Sequence, residues 1–309
     1  MRRSGAPSSG TGWPAGDVHP PLAAVRDAVA RALAEDLLPL GDLTAALVPA
    51  DAWATVAIVA RAPGVVAGQR CVEETYAQLD PSVEVAWHLP DGSAVAVGEA
   101  VATVRGRLRS ILTGERTALN FLGHLSGVAT STRRLVDAVA AASSRVRVLD
   151  TRKTTPGLRA LEKAAVRAGG GHNHRASLSD AVLVKDNHLG GLTIAEAVAA
   201  ARWRWPGRLV EVECDRPDQV EEACRAGASA VLLDNMTPEQ AARCVALVRR
   251  VPGGERVLVE VSGGITLESA PAYAAGGIDV LSVGALTHSA PVLDVGMDLV
   301  GPQLPSEEG

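Results

Sequence analysis

The chain is short of aromatic residues: five tryptophans, two tyrosines and one phenylalanine in 309 residues. A stacking platform for single-stranded nucleic acid needs more rings than that. There is no basic excess, the formal net charge being -5, which excludes a protein built mainly to neutralise phosphate backbones. No apolar run approaches the ~18 residues of a membrane-spanning helix. Cysteine is sparse and scattered: Cys71, Cys214, Cys224 and Cys244 form no CxxC pair. They read as reduced, structural thiols of a cytoplasmic protein. The first residues, MRRSGAPSSGTGWPAG, lack the apolar stretch of a secretory signal.

What is present is apolar content of 47% against 21% charged residues, enough to build a sizeable core. Residues 1–16 read as a disordered leader. A first unit, 17–109, opens with a helix over Pro21–Asp36 and continues in short strands such as Ala54–Ala60 and Ser93–Val97. A second unit, 110–289, begins with two helices, Ile111–Thr130 and Arg133–Ala142. Then the rhythm changes. Short apolar runs recur at Val146–Leu149, Val182–Val184, Leu209–Val212, Val231–Leu233, Val257–Val261 and Val280–Val283, with Ala-rich helical stretches between them. Such alternation reads as parallel strands covered by helices.

The ends of these strands carry the chemistry. The first runs into Asp150, Arg152 and Lys153, the second into Lys185, the third into Glu213 and the fourth into Asp234. The fifth ends in Ser262-Gly263-Gly264 and the sixth in Ser282-Val283-Gly284. Polar or glycine residues at the carboxyl end of every strand are what an α/β barrel with one active-site mouth requires, whereas an open doubly wound sheet gathers its site at one switch point. Between Arg145 and His188 stand nine Lys or Arg against four Asp or Glu, in a chain of net charge -5. A local basic cluster in an acidic protein points to an anionic small molecule. Arg159, Lys163 and Arg167 are equally read as a solvated helix face. Arg152-Lys153, His174-Arg175 and Lys185 fit that reading less well, because they flank strands or the Gly169-Gly170-Gly171 loop. His172 and His174 lack a third metal ligand at a sensible spacing. Glu213 and Asp234 offer hard oxygens for Mg²⁺ or acceptors for ribose hydroxyls. Ser262-Gly263-Gly264, read as preceding a helix from about Thr266, and Ser282-Val283-Gly284 fit a phosphate site on the last two strands.

Parity adds an expectation about the interior. Side chains two apart share a face, so Glu211 lies below Glu213 and Glu260 below Ser262. Buried carboxylates need partners, and the available bases at the mouth are Lys153 and Lys185. A β-bulge that turns one glutamate outward is the alternative.

The string DTRKTTPGLR at 150–159 resembles the signature of quinolinate phosphoribosyltransferase, the carboxylating nicotinate-nucleotide pyrophosphorylase family. So do GGGHNHR at 169–175, LVKDNH at 183–188, EVE at 211–213, LLDN at 232–235, SGGI at 262–265 and SVGALTHS at 282–289, with EDLLPLGDLT at 35–44 and GERTALNFLGHLSGVAT at 114–130 upstream. The likeness runs from about residue 20 to 300, with no departure at a proposed site position. It implies transfer of phosphoribose from 5-phosphoribosyl-1-pyrophosphate to quinolinate with loss of CO₂, and a requirement for Mg²⁺. It implies an open six-stranded parallel α/β barrel plus an N-terminal α/β sandwich domain, which residues 290–309 join. It also implies homodimers with shared active sites, or hexamers built from dimers. By this resemblance Arg116 enters the neighbouring subunit's site, while Arg152, His174, Arg175 and Lys185 hold the quinolinate carboxylates. Lys153, Lys185, Glu213, Asp234, Ser262, Gly263, Gly264 and Gly284 contact the donor. Lys153, Glu213 and Asp234 are the catalytic candidates, and Glu213 and Asp234 the magnesium ligands, directly or through substrate. The rival readings are a related pyrophosphorylase-like barrel with another acceptor, a nicotinate-specific transferase and a non-catalytic sensor of phosphate ligands.

Overall fold

The computed structural model describes residues 18–303; the leader expected over 1–16 lies outside the described residues. The chain starts with α1 (Leu22–Leu37), then β1 (Trp53–Ala60), β2 (Gly64–Val65), α2 (Gln69–Leu79), β3 (Glu84–Trp87), β4 (Ala94–Val95) and β5 (Ala100–Arg107). These lead into α3, one helix from Leu108 to Ala142. The last strand, β12 (Val295–Gln303), returns to pair antiparallel with β1 in a four-stranded sheet of order β12-β1-β5-β3. Strand β1 alternates, burying Ala54, Val56, Ile58 and Ala60 against Val72 and Tyr76 of α2 and Ala118, Leu119 and Leu122 of α3.

The sequence predicts two helices where the structure has α3 alone. The two expected helices leave Ser131-Thr132 between them. Instead the Thr130 hydroxyl donates to the Ser126 carbonyl at 2.7 Å and Thr132 to the Val128 carbonyl at 2.8 Å. Hydroxyls that bond back one turn let a helix continue. The 35-residue helix, roughly 52 Å at 1.5 Å per residue, joins the cores. Its first turns pack on the antiparallel sheet, Phe121, Leu125 and Val128 meet α1, and Leu135 and Val139 reach the barrel.

The barrel strands are β6 (Arg147–Leu149), β7 (Val182–Val184), β8 (Val210–Cys214), β9 (Ala230–Asp234), β10 (Leu258–Ser262) and β11 (Val280–Ser282). All pairs are parallel, in the order β6-β11-β10-β9-β8-β7. The fold is therefore α/β, a six-stranded barrel open between β6 and β7. The segment after α4 (Arg159–Ala168) enters that gap, where the His172 N–H donates to the Val148 carbonyl at 2.8 Å and the Asp150 N–H to the His172 carbonyl at 3.1 Å. Helices α6 (Ile194–Arg204), α7 (Pro217–Arg225), α8 (Pro238–Arg250) and α9 (Ala270–Ala275) follow β7 to β10 in turn, a short α5 (Asp186–Leu189) precedes α6, and α10 (Ala285–His288) follows β11. Thr193 and Thr237 cap α6 and α8, each hydroxyl accepting an N–H three residues on and each answered by Glu196 or Gln240.

The barrel strands look apolar on both faces, but the structure separates the two parities. Val184, Val210, Val212, Cys214, Val231, Leu233, Val259, Val261 and Leu281 face outward and form the core with the helices. The other parity lies inside: Glu211 beside Leu183, Glu213 beside Leu232 and Leu232 beside Glu260, Asp234 beside Ser262. The apolar core is a shell around a polar interior.

Helix α3 also touches the segment that carries the chain back to β12. A Cβ added at Gly127 would lie 2.0 Å from the Pro291 carbonyl oxygen, so the glycine sets the approach of the two backbones. Alanine for glycine inside a helix ordinarily stabilises by about 1 kcal/mol. Here Gly127→Ala is expected to destabilise by about 1–3 kcal/mol through overpacking. Urea unfolding measures it, and an unchanged or higher midpoint contradicts the close approach.

Candidate active site

The carboxyl ends of the barrel strands line a cavity of about 370 Å³. Its walls include Arg152, Lys153, His174, Arg175, Lys185, Glu213, Asp234, Ser262, Gly263 and Gly264, ten of the residues singled out in the sequence. Glu213, Asp234 and Ser262 come from three strands and share one parity, and the other seven stand on the loops between elements.

The cations gather in this cavity. Arg152 is held by its carbonyl, which accepts from Arg159 Nη2 at 3.3 Å, while its buried Nε has no hydrogen-bond partner. His174 Nε2 donates to Glu211 Oε2 at 3.1 Å and lies 3.4 Å from Glu260 Oε2. Burial alone would pull the imidazole down, but the hydrogen bonds and charges of these two glutamates outweigh it and push it up to about 10. At neutral pH His174 is therefore an imidazolium. Burial raises the Glu211 carboxyl, the bond from His174 opposes that, and the Glu260 charge adds to it. Arg175 is held below the usual guanidinium range by burial and then by the charge of Arg152, without losing its proton at neutral pH. Lys185 Nζ donates to Glu213 Oε2 across the seam between β7 and β8.

Glu211 and Glu260 lie inside the barrel, 2% and 4% exposed, as parity predicts. Their expected lysine partners are corrected: the partner is His174. Lys185 follows β7 one residue beyond Val184, which pairs with Val212, so it stands level with Glu213 and is taken by it. Lys153 is exposed on its loop. One layer deeper, the gap between β6 and β7 admits the 172–175 segment, and His174 reaches both carboxylates from there. These three residues are also the one group of three among the described residues whose possible metal-ligand atoms lie within 4.8 Å. The Nε2 proton lies between Glu211 Oε2 and Glu260 Oε2, while the Oε1 atom of each glutamate is buried with no hydrogen-bond partner. His172 does not take part; its peptide group extends the sheet at β6.

The ends of β9 and β10 add Asp234 and the Ser262-Gly263-Gly264 turn to the same cavity. Asp234 Oδ2 accepts from Asn235 Nδ2 at 2.7 Å. Asn235 has φ +54° and its N–H donates to the Ser262 carbonyl at 3.0 Å. A Cβ at Gly263, itself at φ +95°, would fall 2.2 Å from Asn235 Oδ1. Glycine there is a requirement of both backbone and space. The expected helix from Thr266 starts instead at Ala270. Thr266 and Ser269 exchange hydrogen bonds in a turn, and Pro271 fits only the first helical turn. The glycine turn is thus not joined to a helix N-terminus. Gly284 does not line the cavity. It leaves room for Lys153, whose Cδ would lie 3.1 Å from an added Cβ, and the Thr287 hydroxyl donates to the Lys153 carbonyl at 2.8 Å.

Two polar lining residues, Thr151 and Asn235, were not singled out in the sequence, whereas Ser282 was read there as part of the phosphate site. Val261 pairs with Leu281, so Ser282 stands beside Ser262, and its buried hydroxyl has no partner. Arg116 is not in this cavity. It is exposed in a separate hollow with Glu35, Asp36, Asn120, His124 and Leu158.

The sequence matches the quinolinate phosphoribosyl transferase N-terminal domain over residues 42–126 and the C-terminal domain of the same family over 128–298. It is 44% identical over 283 residues to the Mycobacterium leprae nicotinate-nucleotide pyrophosphorylase [carboxylating], covering 89% of this chain and 97% of that protein. The human protein of the same name is 42% identical over 82% of this chain and 85% of its own length. The structure of the Francisella tularensis nicotinate-nucleotide pyrophosphorylase superposes with a TM-score of 0.85 at 38% identity, covering 92% of this chain and 98% of that one. Human nicotinic acid phosphoribosyltransferase, 18% identical with a TM-score of 0.63, shares the fold. With an antiparallel N-terminal sheet, an open six-stranded barrel and a cavity holding the motif residues, the chain belongs to the quinolinate phosphoribosyltransferase family.

Proposed function

We propose that this chain transfers phosphoribose from 5-phosphoribosyl-1-pyrophosphate to quinolinate, releasing pyrophosphate and CO₂ and forming nicotinate mononucleotide for NAD biosynthesis. One observation carries the reading: a single cavity gathers Arg152, His174, Arg175 and Lys185 together with Glu213, Asp234 and the Ser262-Gly263-Gly264 turn. Quinolinate has two carboxylates. Arg152, His174, Arg175 and Lys185 meet them with charge-assisted hydrogen bonds. Lys153, Lys185, Ser262, Gly263 and Gly264 hold the donor's phosphates, with Gly284 shaping the Lys153 side.

The ring nitrogen attacks the anomeric carbon as the bond to pyrophosphate breaks. Positive charge builds on the ribose, and Glu213 and Asp234 stabilise it, as carboxylates do in glycosyl transfer. Lys153 balances the charge of the departing pyrophosphate. Once alkylated, the cationic nitrogen stabilises the electron pair left when the adjacent carboxylate departs as CO₂, and that carbon takes a proton. Positioning and electrostatics do this work without a covalent intermediate on the protein.

Glu213 and Asp234 suit Mg²⁺. Each has one oxygen engaged, by Lys185 and Asn235, and one left over, and Mg²⁺ commonly binds one or two carboxylates together with substrate phosphates. The ion would screen the pyrophosphate charge. Arg116, exposed and outside the cavity, is assigned to a neighbouring subunit's acceptor site in a homodimer or a hexamer of dimers. A cytoplasmic location fits the four cysteines, all free and buried, and no described helix is long and apolar enough to cross a membrane.

Turnover with the phosphoribosyl donor should occur with quinolinate and be at least a hundredfold weaker with nicotinate, which lacks one carboxylate; equal use of both contradicts the assignment. Asp234→Asn should raise the donor KM at least tenfold while quinolinate binding changes less than threefold, as steady-state kinetics and calorimetry report. Mixed Arg116→Ala and Lys153→Ala subunits, each inactive alone, should regain partial activity once exchanged. Activity that stays absent after proven exchange argues against a shared site. Finally, an ordinary histidine loses its charge near pH 6.5, whereas His174 sits at about 10. The protonated form persists below that value, so ring NMR should show His174 charged from pH 6 to 8.5, a range in which the neighbouring Glu211 carboxyl, pushed up to about 7, gains its own charge. A His174 ring that loses its proton between pH 6 and 7.5 would contradict the assignment.

A further inference from the structure

The acceptor wall is made of two irregular segments, 151–155 and 172–176, and what holds them is one face of α4. Arg159, Glu162, Lys163 and Arg167 follow helical spacing and share a side. The solvated-face reading of Arg159, Lys163 and Arg167 is overturned at Lys163, 4% exposed, while Arg159 and Arg167 are half-buried and bonded to the loops; Glu162 beside them is 0% exposed. Lys163 Nζ forms an ion pair with the fully buried Asp150 and donates to the His174 carbonyl at 3.1 Å. Asp150 accepts in return from the His174 N–H at 2.9 Å and from Asn173 Nδ2 at 2.6 Å. Both peptide groups of His174 are thus fixed by the two members of one ion pair. Asn173 also accepts from Arg167 Nη1 at 2.5 Å.

The other segment is held from the same face. Arg159 donates to the Arg152 carbonyl at 3.3 Å, the Thr154 hydroxyl at 3.0 Å and the Ala176 carbonyl at 3.1 Å, tying the two segments to each other. The Thr155 N–H donates to Glu162 Oε2 at 3.0 Å, and Glu162 Oε1 pairs with His124 of α3 at 2.8 Å.

We propose that Lys163, Asp150 and Arg159 are positioning residues for the acceptor: they set the backbones of His174 and Arg152 so that the cationic groups match the two carboxylates of quinolinate. The inference rests on the reading of this wall as the quinolinate site. Stability alone does not account for the arrangement, because a buried ion pair is often no more stable than well-packed apolar side chains of the same volume. Burial raises the Asp150 carboxyl and lowers the Lys163 amine, each opposed by the other. What the pair supplies that apolar residues would not is directed bonds to the two peptide groups of His174. Recognition of a rigid, planar dicarboxylate depends on such fixed geometry. None of the three residues lines the cavity, so each acts through another.

The test uses the full chain with two variants, Arg159→Met and the charge-free pair Asp150→Asn with Lys163→Met. Thermal melting reports folding, calorimetry the quinolinate Kd, and steady-state kinetics the KM of each substrate. The expected result is a quinolinate Kd at least tenfold weaker in both folded variants with a donor KM within threefold of the wild type. A quinolinate Kd within threefold of the wild type, or equal losses for both substrates, overturns the positioning role. If the double variant does not fold, Arg159→Met decides alone, since its side chain is only half-buried. Wild-type protein that binds no quinolinate overturns the functional reading and this inference with it. Wild-type binding with unaltered variants overturns this inference alone.

Discussion

The alternation of side chains along the six barrel strands is the constraint on which the molecule depends. Because neighbouring residues point to opposite faces, each strand of three to five residues serves two purposes. Val212, Val231, Leu233, Val259, Val261 and Leu281 hold the helices on the outside. Glu211, Glu213, Asp234, Glu260, Ser262 and Ser282 are thereby turned inward. A slip of one residue in any strand would put charge into the apolar shell and remove a group from the mouth.

Charges inside a barrel persist only when they are matched. The matching here is uneven, and the unevenness is useful. Deep in the barrel, His174 answers Glu211 and Glu260, and beneath α4 Lys163 answers Asp150. At the mouth, Lys185 engages Glu213, but no ion pair among the described residues occupies Arg152, Arg175 or Lys153. Their charge is left for an anionic ligand. The opening between β6 and β7 makes this possible, because a closed barrel would have no route for the 172–175 segment to bring His174 inside.

Much of this was legible in the sequence, because strand spacing and strand-end chemistry are local properties. Lys185, Glu213, Asp234 and Ser262-Gly263-Gly264 follow directly from where apolar runs stop, and Glu211 and Glu260 from counting back by two. What was not legible depends on how distant segments meet. The partner of the two glutamates is a histidine on a loop that enters through a gap, and nothing in its spacing signals that. Arg159, Lys163 and Arg167 have the pattern of a water-facing helix stripe; only the fold shows loops laid over it. The continuity of α3 through Ser131-Thr132 goes with the Thr130 and Thr132 hydroxyls bonding the preceding turn. Ser282 was read at its strand end together with Ser262, and the register sets the two side by side.

The central claim is that one cavity binds a dicarboxylate at its cations and a phosphoribosyl donor at its acidic and glycine residues. A crystal structure of the protein with quinolinate and an unreactive donor analogue tests it most directly. The account predicts quinolinate carboxylates within hydrogen-bond distance of Arg152, His174 and Arg175, with the ribose beside Glu213 and Asp234. Quinolinate bound outside this cavity, or bound inside it with its carboxylates turned away from those three cations, would contradict the account.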